Sequence, residues 1–492
     1  MRRMDMRKRG TRKMKRKSRR QIVNKTGKGV EFFPCLAMTA LLLITFVGFA
    51  SVYSRGSEAL AAAKPDEKRN ISLIDREDDN TEVEDYEPSQ FEAYGKILTA
   101  DGEVIYGPAN AEGGKTYTNL IGKIGIADVH TVAYAYREEL YNSYSLINGL
   151  GHPAPELSLT INGNLQKTMT EYLEACNVDG TVLCSDVHTG EILCAVSTPA
   201  AASMEDYSRE GGLMNKNFYT TVPGSTMKIV TTLLLEMEGI STEELVFGCG
   251  KTTALPDGNR ITCEKDHGSA VTIEAALGDS CNCFFAQAIQ LLDWDTVAAD
   301  LCRLGFAVNA PEEVHRQTGK LVYRSSETAI SGRNDFNSIF GLIGQGETLV
   351  SPLHMVQLTS AIAGAGEAVD PFLVQGDRGM EPLQLWEADR EAFRRCREIW
   401  EKAFAEYYQP GIVYPEALVA AKTGTAQIGG LAQKKLLSGY TADVAFYIVI
   451  HNYITADGIK LSVTPVEIAE KMLEDVIQVD ACGDLARDSG QL

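Results

Sequence analysis

The rhythm of apolar and polar residues changes several times along the chain, and each change predicts a different kind of structure. From Phe32 to Ser54, 23 consecutive residues carry no charge, with Leu41-Leu42-Leu43-Ile44-Thr45-Phe46-Val47 at the centre. At ~1.5 Å per residue this run is ~35 Å long as a helix, enough to cross a hydrocarbon core of ~30 Å with some tilt. It predicts one transmembrane helix over 32–54. Residues 55–90 have few large apolar side chains and read as an extended acidic linker: Pro65–Glu87 holds ten acidic residues against three basic ones. Alternation resumes at Gly95–Ile105, which predicts two short strands about the Asp101-Gly102 turn. With a partly helical stretch over 128–150, it defines a small pedestal module over 91–155.

The main domain is predicted over 156–478, followed by a polar tail over 479–492. Leu157–Ile161 alternates as a strand, and Leu165–Ala175 has helical spacing. Thr181–Cys184 and Glu191–Ser197 read as paired strands joined at His188-Thr189-Gly190. Helical spacing dominates from about 226 to 405. Strands return at Leu418–Ala421 and Val444–His451, and a last helix is predicted over Val466–Ile477. Strands at both ends with helices between them predict a mixed α/β fold, one sheet drawing strands from distant parts of the chain.

Charge sharpens the membrane reading. The net charge is −19, but residues 1–30 carry 14 Lys/Arg and one acid, leaving the rest of the chain strongly acidic. A basic tail before an apolar span puts residues 1–31 in the cytoplasm and the body outside, as a single-pass membrane protein. Ala61-Ala62-Ala63 lies too far beyond the apolar core to serve as a signal-peptide cleavage site. The tail sits where anionic lipid would meet it, so lipid rather than nucleic acid is the expected partner. Hydrophobic content of 44%, charged content of 23% and 11 cysteines in 492 residues exclude a wholly disordered chain, a multi-pass membrane protein and a disulfide scaffold.

Three short motifs carry chemistry. In Pro223-Gly224-Ser225-Thr226-Met227-Lys228, Ser225 opens a predicted helix over Thr226–Met237, where unpaired N–H groups favour an oxyanion. Lys228 returns to the same face one turn later, and a desolvated lysine can take the serine proton. Ser280-Cys281-Asn282 lies between two helical segments, Val271–Leu277 and Phe284–Leu292, so its hydroxyl and amide can face one cleft. Lys422-Thr423-Gly424-Thr425 follows the strand at Leu418–Ala421; the glycine allows close approach of a ligand backbone, and its neighbours suit a carboxylate. Singly, each reads more readily as a helix cap or a strand-end turn.

In this order, with Ser280 at 55 residues from Ser225 and Lys422 at 142 from Ser280, the motifs resemble the signature of the penicillin-recognising serine enzymes. The chain is most similar to the monofunctional, class B penicillin-binding proteins. Leu159-Thr160-Ile161 with Leu165-Gln166, Thr189–Leu193 through Pro199, and Gly344-Gln345-Gly346 through Ser351-Pro352-Leu353 extend the resemblance over roughly residues 91–478. Departures are Asn162 where an Asp is frequent, Met227 where a Phe is frequent, and Ser438-Gly439-Tyr440 where a Trp-Phe pair is common.

The resemblance implies a penicillin-binding/β-lactamase-like transpeptidase domain, a mainly antiparallel sheet flanked by helices. It implies a serine D-Ala-D-Ala transpeptidase that cross-links peptidoglycan stem peptides and is acylated by β-lactams. By it, Ser225 is the nucleophile and Lys228 its base; Ser280 with Lys422 passes the proton to the leaving amine. Asn282 binds the peptide amide, Thr423 and Thr425 hold the terminal carboxylate beside Gly424, and the N–H groups of Ser225 and Thr425 form the oxyanion hole. Strand polymerisation then falls to a membrane glycan polymerase partner. A D,D-carboxypeptidase uses the same residues with water as acceptor, and a non-catalytic divisome or elongasome scaffold is the reading from a different class.

No cofactor or metal is expected. Gly250-Lys251-Thr252 lacks the opening glycine of a phosphate loop, because Leu245 stands there. Cys249, Cys263 and His267 offer three ligands, one short of a structural zinc site, while Cys281 and Cys283 read as packing residues. The Cys249/Cys263 spacing also resembles a cysteine pair of some relatives, and leaves a disulfide and free thiols both open.

Overall fold

The computed structural model describes residues 95–106, 115–122, 129–141, 155–200, 214–367, 369–377, 379–408 and 414–488. The predicted membrane span, the acidic linker, parts of the pedestal region and the end of the polar tail lie outside these residues. Among the described residues no helix is long and apolar enough to cross a membrane.

The chain enters through β1 (Lys96–Leu98) and β2 (Val104–Tyr106), an antiparallel pair about the predicted Asp101-Gly102 turn, where Gly102 has a φ of 82°. Short helical turns at Thr118–Ile121, Val132–Ala135 and Arg137–Tyr141 follow. β3 (Glu156–Ser158) returns parallel to β1, so a strand of the predicted main domain completes the sheet of the predicted pedestal. α1 (Gly163–Ala175) begins at Asn162, whose side chain accepts a hydrogen bond from Leu165 N at 2.9 Å. β4 (Gly180–Asp186) and β5 (Ile192–Thr198) then form the predicted hairpin, with Gly190 at a φ of 78°.

A one-turn 3₁₀ segment, Gly224–Thr226, opens α2 (Met227–Met237). Within the stretch where helical spacing dominates, the chain also makes two small antiparallel pairs: β6 (Phe247–Cys249) with β9 (Gly268–Val271), and β7 (Thr252–Ala254) with β8 (Arg260–Thr262). Strands of three or four residues are too short to establish a period, and neighbouring helices hide them. α3 (Ile273–Gly278), α4 (Asn282–Ala288) and α5 (Val297–Arg303) follow. Four more short strands, β10 (Ala307–Val308), β11 (His315–Thr318), β12 (Leu321–Arg324) and β13 (Glu327–Thr328), precede α6 (Phe336–Leu342), α7 (Pro352–Ala363) and α8 (Glu387–Tyr407).

The main sheet closes late. β14 (Ala420–Gly429), β15 (Ala432–Tyr440) and β16 (Val444–Ile454) join β4 and β5 in the order β14-β15-β16-β4-β5, antiparallel throughout, before the final α9 (Pro465–Asp488). The Lys422-Thr423-Gly424-Thr425 segment lies inside edge strand β14, where a strand ending at Ala421 is predicted before it. β15 is also absent from the sequence reading, because its Lys434-Lys435 and Ser438-Gly439 break the apolar run.

The sheet is buried on both faces, which is why Val444–His451 reads as an unbroken apolar stretch. On β16, Phe446, Ile448 and Ile450 face a cluster formed with Leu165, Met169 and Leu173 of α1 and with Ile468, Met472 and Leu473 of α9. The alternate residues Ala445, Tyr447 and Val449 face the larger core that contains α2, α3, α7 and α8. α8 buries Ala392, Phe393, Cys396, Trp400 and Ala403 along one stripe. The result is the mixed α/β, mainly antiparallel fold implied by the resemblance. Phe393 is fully buried, so Phe393→Ala should lower unfolding free energy by about 3–5 kcal/mol, read from the urea midpoint at unchanged slope.

Candidate active site

The site lies where the first turn of α2 meets edge strand β14. Thr226 holds that turn from below: its hydroxyl is 2.7 Å from Pro223 O and 3.0 Å from the hydroxyl of Tyr447, inside the sheet. Glycines allow the close approach. A Cβ on Gly224, whose φ is 53°, would lie 2.8 Å from Thr425 O; one on Gly424 would lie 2.9 Å from Pro223 O. Gly344, at a φ of 95°, abuts the same turn, and a Cβ there would fall 1.7 Å from Gly224 O. Gln345 Nε2 donates to Thr425 O at 3.4 Å. The backbones of Ser225 and Thr425 are thereby set side by side, the arrangement an oxyanion hole needs.

Three of the residues singled out in the sequence, Ser225, Ser280 and Asn282, converge on the amine of a fourth, Lys228. Lys228 Nζ is 2.7 Å from Ser225 Oγ, 2.7 Å from Asn282 Oδ1, 3.2 Å from Ser280 Oγ and 3.4 Å from Ser280 O. Asn282 Nδ2 donates to Thr262 O at 2.9 Å, which turns its amide oxygen toward the lysine. Asn282 Oδ1 and Ser280 O can only accept, so each takes an N–H from Lys228. Lys228 is fully buried, and among the described residues it forms no ion pair. Burial therefore lowers its pKa from the usual lysine range to about 8, with Cys263 and Cys281 opposing the shift. The second motif occupies the predicted bend between helices. Ser280 adopts a left-handed φ of 59°, and Cys281 caps α4 by accepting from Phe284 N.

The third motif is placed around this centre rather than in contact with it. Lys422 is buried, donates to Thr423 O at 2.8 Å and lies 5.9 Å from the ring of Tyr408. Its pKa falls well below the usual value, through desolvation first and then repulsion by Lys228 and Lys435. Thr423 N donates to the Tyr408 hydroxyl. Thr425 Oγ1 accepts from Lys435 Nζ at 2.7 Å. Lys435, absent from the sequence reading, is placed by register: β15 sets it directly opposite Thr425. Its signal was Lys434-Lys435 in a segment otherwise apolar toward its end, which has no meaning until the strand pairing is known.

The cysteines also converge. Cys249 and Cys263 are free thiols, with sulfurs 3.6 Å apart, and Cys281 and His267 join them. The expectation of three ligands at most is corrected: four lie together, because the short β6–β9 region folds back onto the bend at Ser280.

A serine–lysine pair beside an antiparallel edge strand is an arrangement suited to serine acyl transfer. The comparisons agree, and the chain belongs to the family described as the penicillin binding protein transpeptidase domain, which matches residues 180–471, more than half its length. Similar proteins include the peptidoglycan D,D-transpeptidase MrdA of Acinetobacter baumannii, 26% identical over 65% of this chain and 52% of that protein. The peptidoglycan D,D-transpeptidase PbpA of Mycolicibacterium smegmatis is 25% identical over 53% of this chain and 54% of that protein. The chain thus spans about half the length of these curated relatives. The crystal structure of PBPA from Mycobacterium tuberculosis has a TM-score of 0.62 at 19% identity, covering 78% of this chain and 100% of that one. Its imipenem acyl-enzyme complex has the same TM-score, covering 78% and 98%.

The Gly344 contact gives a direct test of the site's geometry. Gly344→Ala should displace the Ser225 turn by about 1 Å or more and slow covalent labelling of Ser225 by a fluorescent penicillin about a hundredfold, measured as an initial labelling rate on folded protein.

Proposed function

We propose that this protein is a peptidoglycan D,D-transpeptidase, anchored in the cell membrane by 32–54 with the catalytic domain outside, and acylated by β-lactams. The observation that carries the proposal is the buried Lys228 amine, without a counter-ion, in reach of both Ser225 and Ser280. Relatives named as D,D-transpeptidases, and a structural neighbour captured as an imipenem acyl-enzyme, support it. The anchor rests on the uncharged run at 32–54 and the basic tail before it. A membrane glycan polymerase is the partner proposed to make the strands that such an enzyme cross-links.

The mechanism follows from the hydrogen bonds. Lys228, neutral, takes the Ser225 proton as Oγ attacks the penultimate D-Ala carbonyl carbon of a stem peptide. The oxyanion faces the N–H groups of Ser225 and Thr425. The C–N bond to the terminal D-Ala then breaks, and Lys228 returns the proton to the departing nitrogen through the Ser280 hydroxyl, 3.2 Å away. Lys422 is kept close by its bond to Thr423 O, and Lys435 is held beside Thr425. Thr423, Thr425 and Lys435 receive the terminal carboxylate along the edge strand beside Gly424. Asn282 binds the peptide amide by exchanging its bond to Thr262 O for one to substrate. A neighbouring stem's amine attacks the acyl carbon, loses its proton through the same lysine, and regenerates Ser225.

The full chain in detergent should take a stable fluorescent penicillin label that Ser225→Ala abolishes. Absence of label on folded wild type would overturn the reading; release of the label within seconds would indicate a β-lactamase. With a stem-peptide donor, formation of cross-linked product when an amine acceptor is present separates a transpeptidase from a carboxypeptidase.

The lysine also sets a pH profile. Its base form increases as pH rises, so the labelling rate should climb about tenfold per pH unit at low pH and level off above about 8. Lys228→Arg, charged at every accessible pH, should not label at any of them.

A further inference from the structure

Given the acyl-transfer reading of the site, we infer that Tyr408 closes the binding edge of β14 at Thr423 and so restricts the enzyme to donors that end one residue beyond the scissile bond. Tyr408 directly follows the last residue of α8.

In an antiparallel pair, alternate residues turn their N–H and C=O toward the neighbouring strand, and the residues between them turn theirs away. β14 lies at the edge of the main sheet, beside β15. Thr423 and Thr425 are two of its outward-turned residues, since their main-chain groups bond side chains. Thr423 N donates to the Tyr408 hydroxyl. Thr423 O accepts from Lys422 Nζ at 2.8 Å, and Thr425 O accepts from Gln345 Nε2 at 3.4 Å.

The two residues are closed to different degrees. At Thr425 the bond from Gln345 is long, and a substrate N–H can replace it at ordinary length. At Thr423 both main-chain groups are taken, and the groups that take them are held in place. The buried stripe of α8, with Phe393, Cys396 and Trp400, anchors the helix that leads into Tyr408. The Tyr408 ring packs against Phe404 at 5.1 Å and Tyr414 at 4.9 Å between centroids. Lys422 is buried, with its Nζ 5.9 Å from the same ring.

Strand geometry turns this closure into a length limit. A donor whose scissile carbonyl meets Thr425 N, and whose N–H on that same residue meets Thr425 O, runs antiparallel to β14, because directly opposed residues exchange both bonds only in that arrangement. The next donor residue, the one that leaves, then lies opposite Gly424. A further residue would lie opposite Thr423 and need the two groups that Tyr408 and Lys422 occupy. It would have to displace both bonds or leave its own groups unpaired. A donor that ends in a carboxylate opposite Gly424 meets neither cost. Tyr408 touches no reacting atom; it is a positioning residue that sets specificity through Thr423.

The test compares two acyl-D-alanyl thioester donors on the full chain in detergent. One has thioglycolate as its leaving group and ends in that carboxylate; in the other the carboxylate is joined to glycine, which adds one residue. Initial rates of thiol release, less the rate with Ser225→Ala, give a ratio of extended to short donor. Wild type should favour the short donor. Tyr408→Ala should raise the ratio about tenfold or more. Tyr408→Phe, which frees Thr423 N but keeps the ring, should raise it about threefold. A general loss of stability lowers both rates together and leaves the ratio unchanged. If Tyr408→Ala does not fold, Tyr408→Phe decides alone. The proposal is overturned if folded Tyr408→Phe has the wild-type ratio, or if wild type uses both donors equally. Failure of the acyl-transfer reading is distinguishable, because wild type would then release thiol from neither donor and take no penicillin label, and the proposal would fall with it.

Discussion

The structure turns on keeping one lysine amine deep inside the protein without a counter-ion. Burying a charged ammonium costs several kcal/mol unless a carboxylate accompanies it. Here Lys228 meets two hydroxyls, an amide oxygen and a carbonyl, and no described carboxylate pairs with it. That environment tolerates the neutral amine and so supplies a base at ordinary pH. A glutamate or aspartate at hydrogen-bonding distance would stabilise the ammonium and remove the base. Much else serves the same end: α2 is buried almost all round, and the Ser280 bend caps the amine.

The second constraint is backbone proximity. The turn before α2 and edge strand β14 approach so closely that Gly224, Gly424 and Gly344 have no room for a Cβ. Their role is steric, and it brings the Gly224 turn and the Thr425 backbone, from remote parts of the chain, together. An edge strand is the natural partner for this turn. Its outer rim is not paired within the sheet, which leaves it open to an added extended strand.

Chemistry at the Ser280 bend adds a different demand. Its hydroxyl and the Asn282 amide must both face Lys228, yet the bend holds a non-glycine residue in a left-handed conformation between two short helices. Helix caps alone give little stiffness there, because α3 and α4 span only Ile273–Gly278 and Asn282–Ala288. The cysteine and histidine side chains behind the bend pack against the β6–β9 region, and hydrogen bonds from Cys283 N and Phe284 N orient two sulfurs.

Long apolar periods survive any arrangement of the chain, and those elements were legible: α1, the β4–β5 hairpin, α2 and β16 fall close to their predicted places. So did the chemistry that spacing encodes within one turn, Ser225 with Lys228, and within one bend, Ser280 with Asn282. The short strands between Phe247 and Thr328 were not legible, since two to four residues carry no period and depend on pairing with partners elsewhere. The same holds for Lys435, whose place opposite Thr425 is a matter of register, and for the placing of Lys422-Thr423-Gly424-Thr425 inside a strand rather than after one. Cysteine spacing counted three ligands because Cys281 lies 18 residues beyond Cys263, outside any local motif. Sequence by itself determined the local geometry and the identity of the reacting groups, because these follow from neighbours along the chain. Only the tertiary structure decided what each group meets across the chain, because burial, strand register and close backbone approach depend on residues hundreds of positions apart.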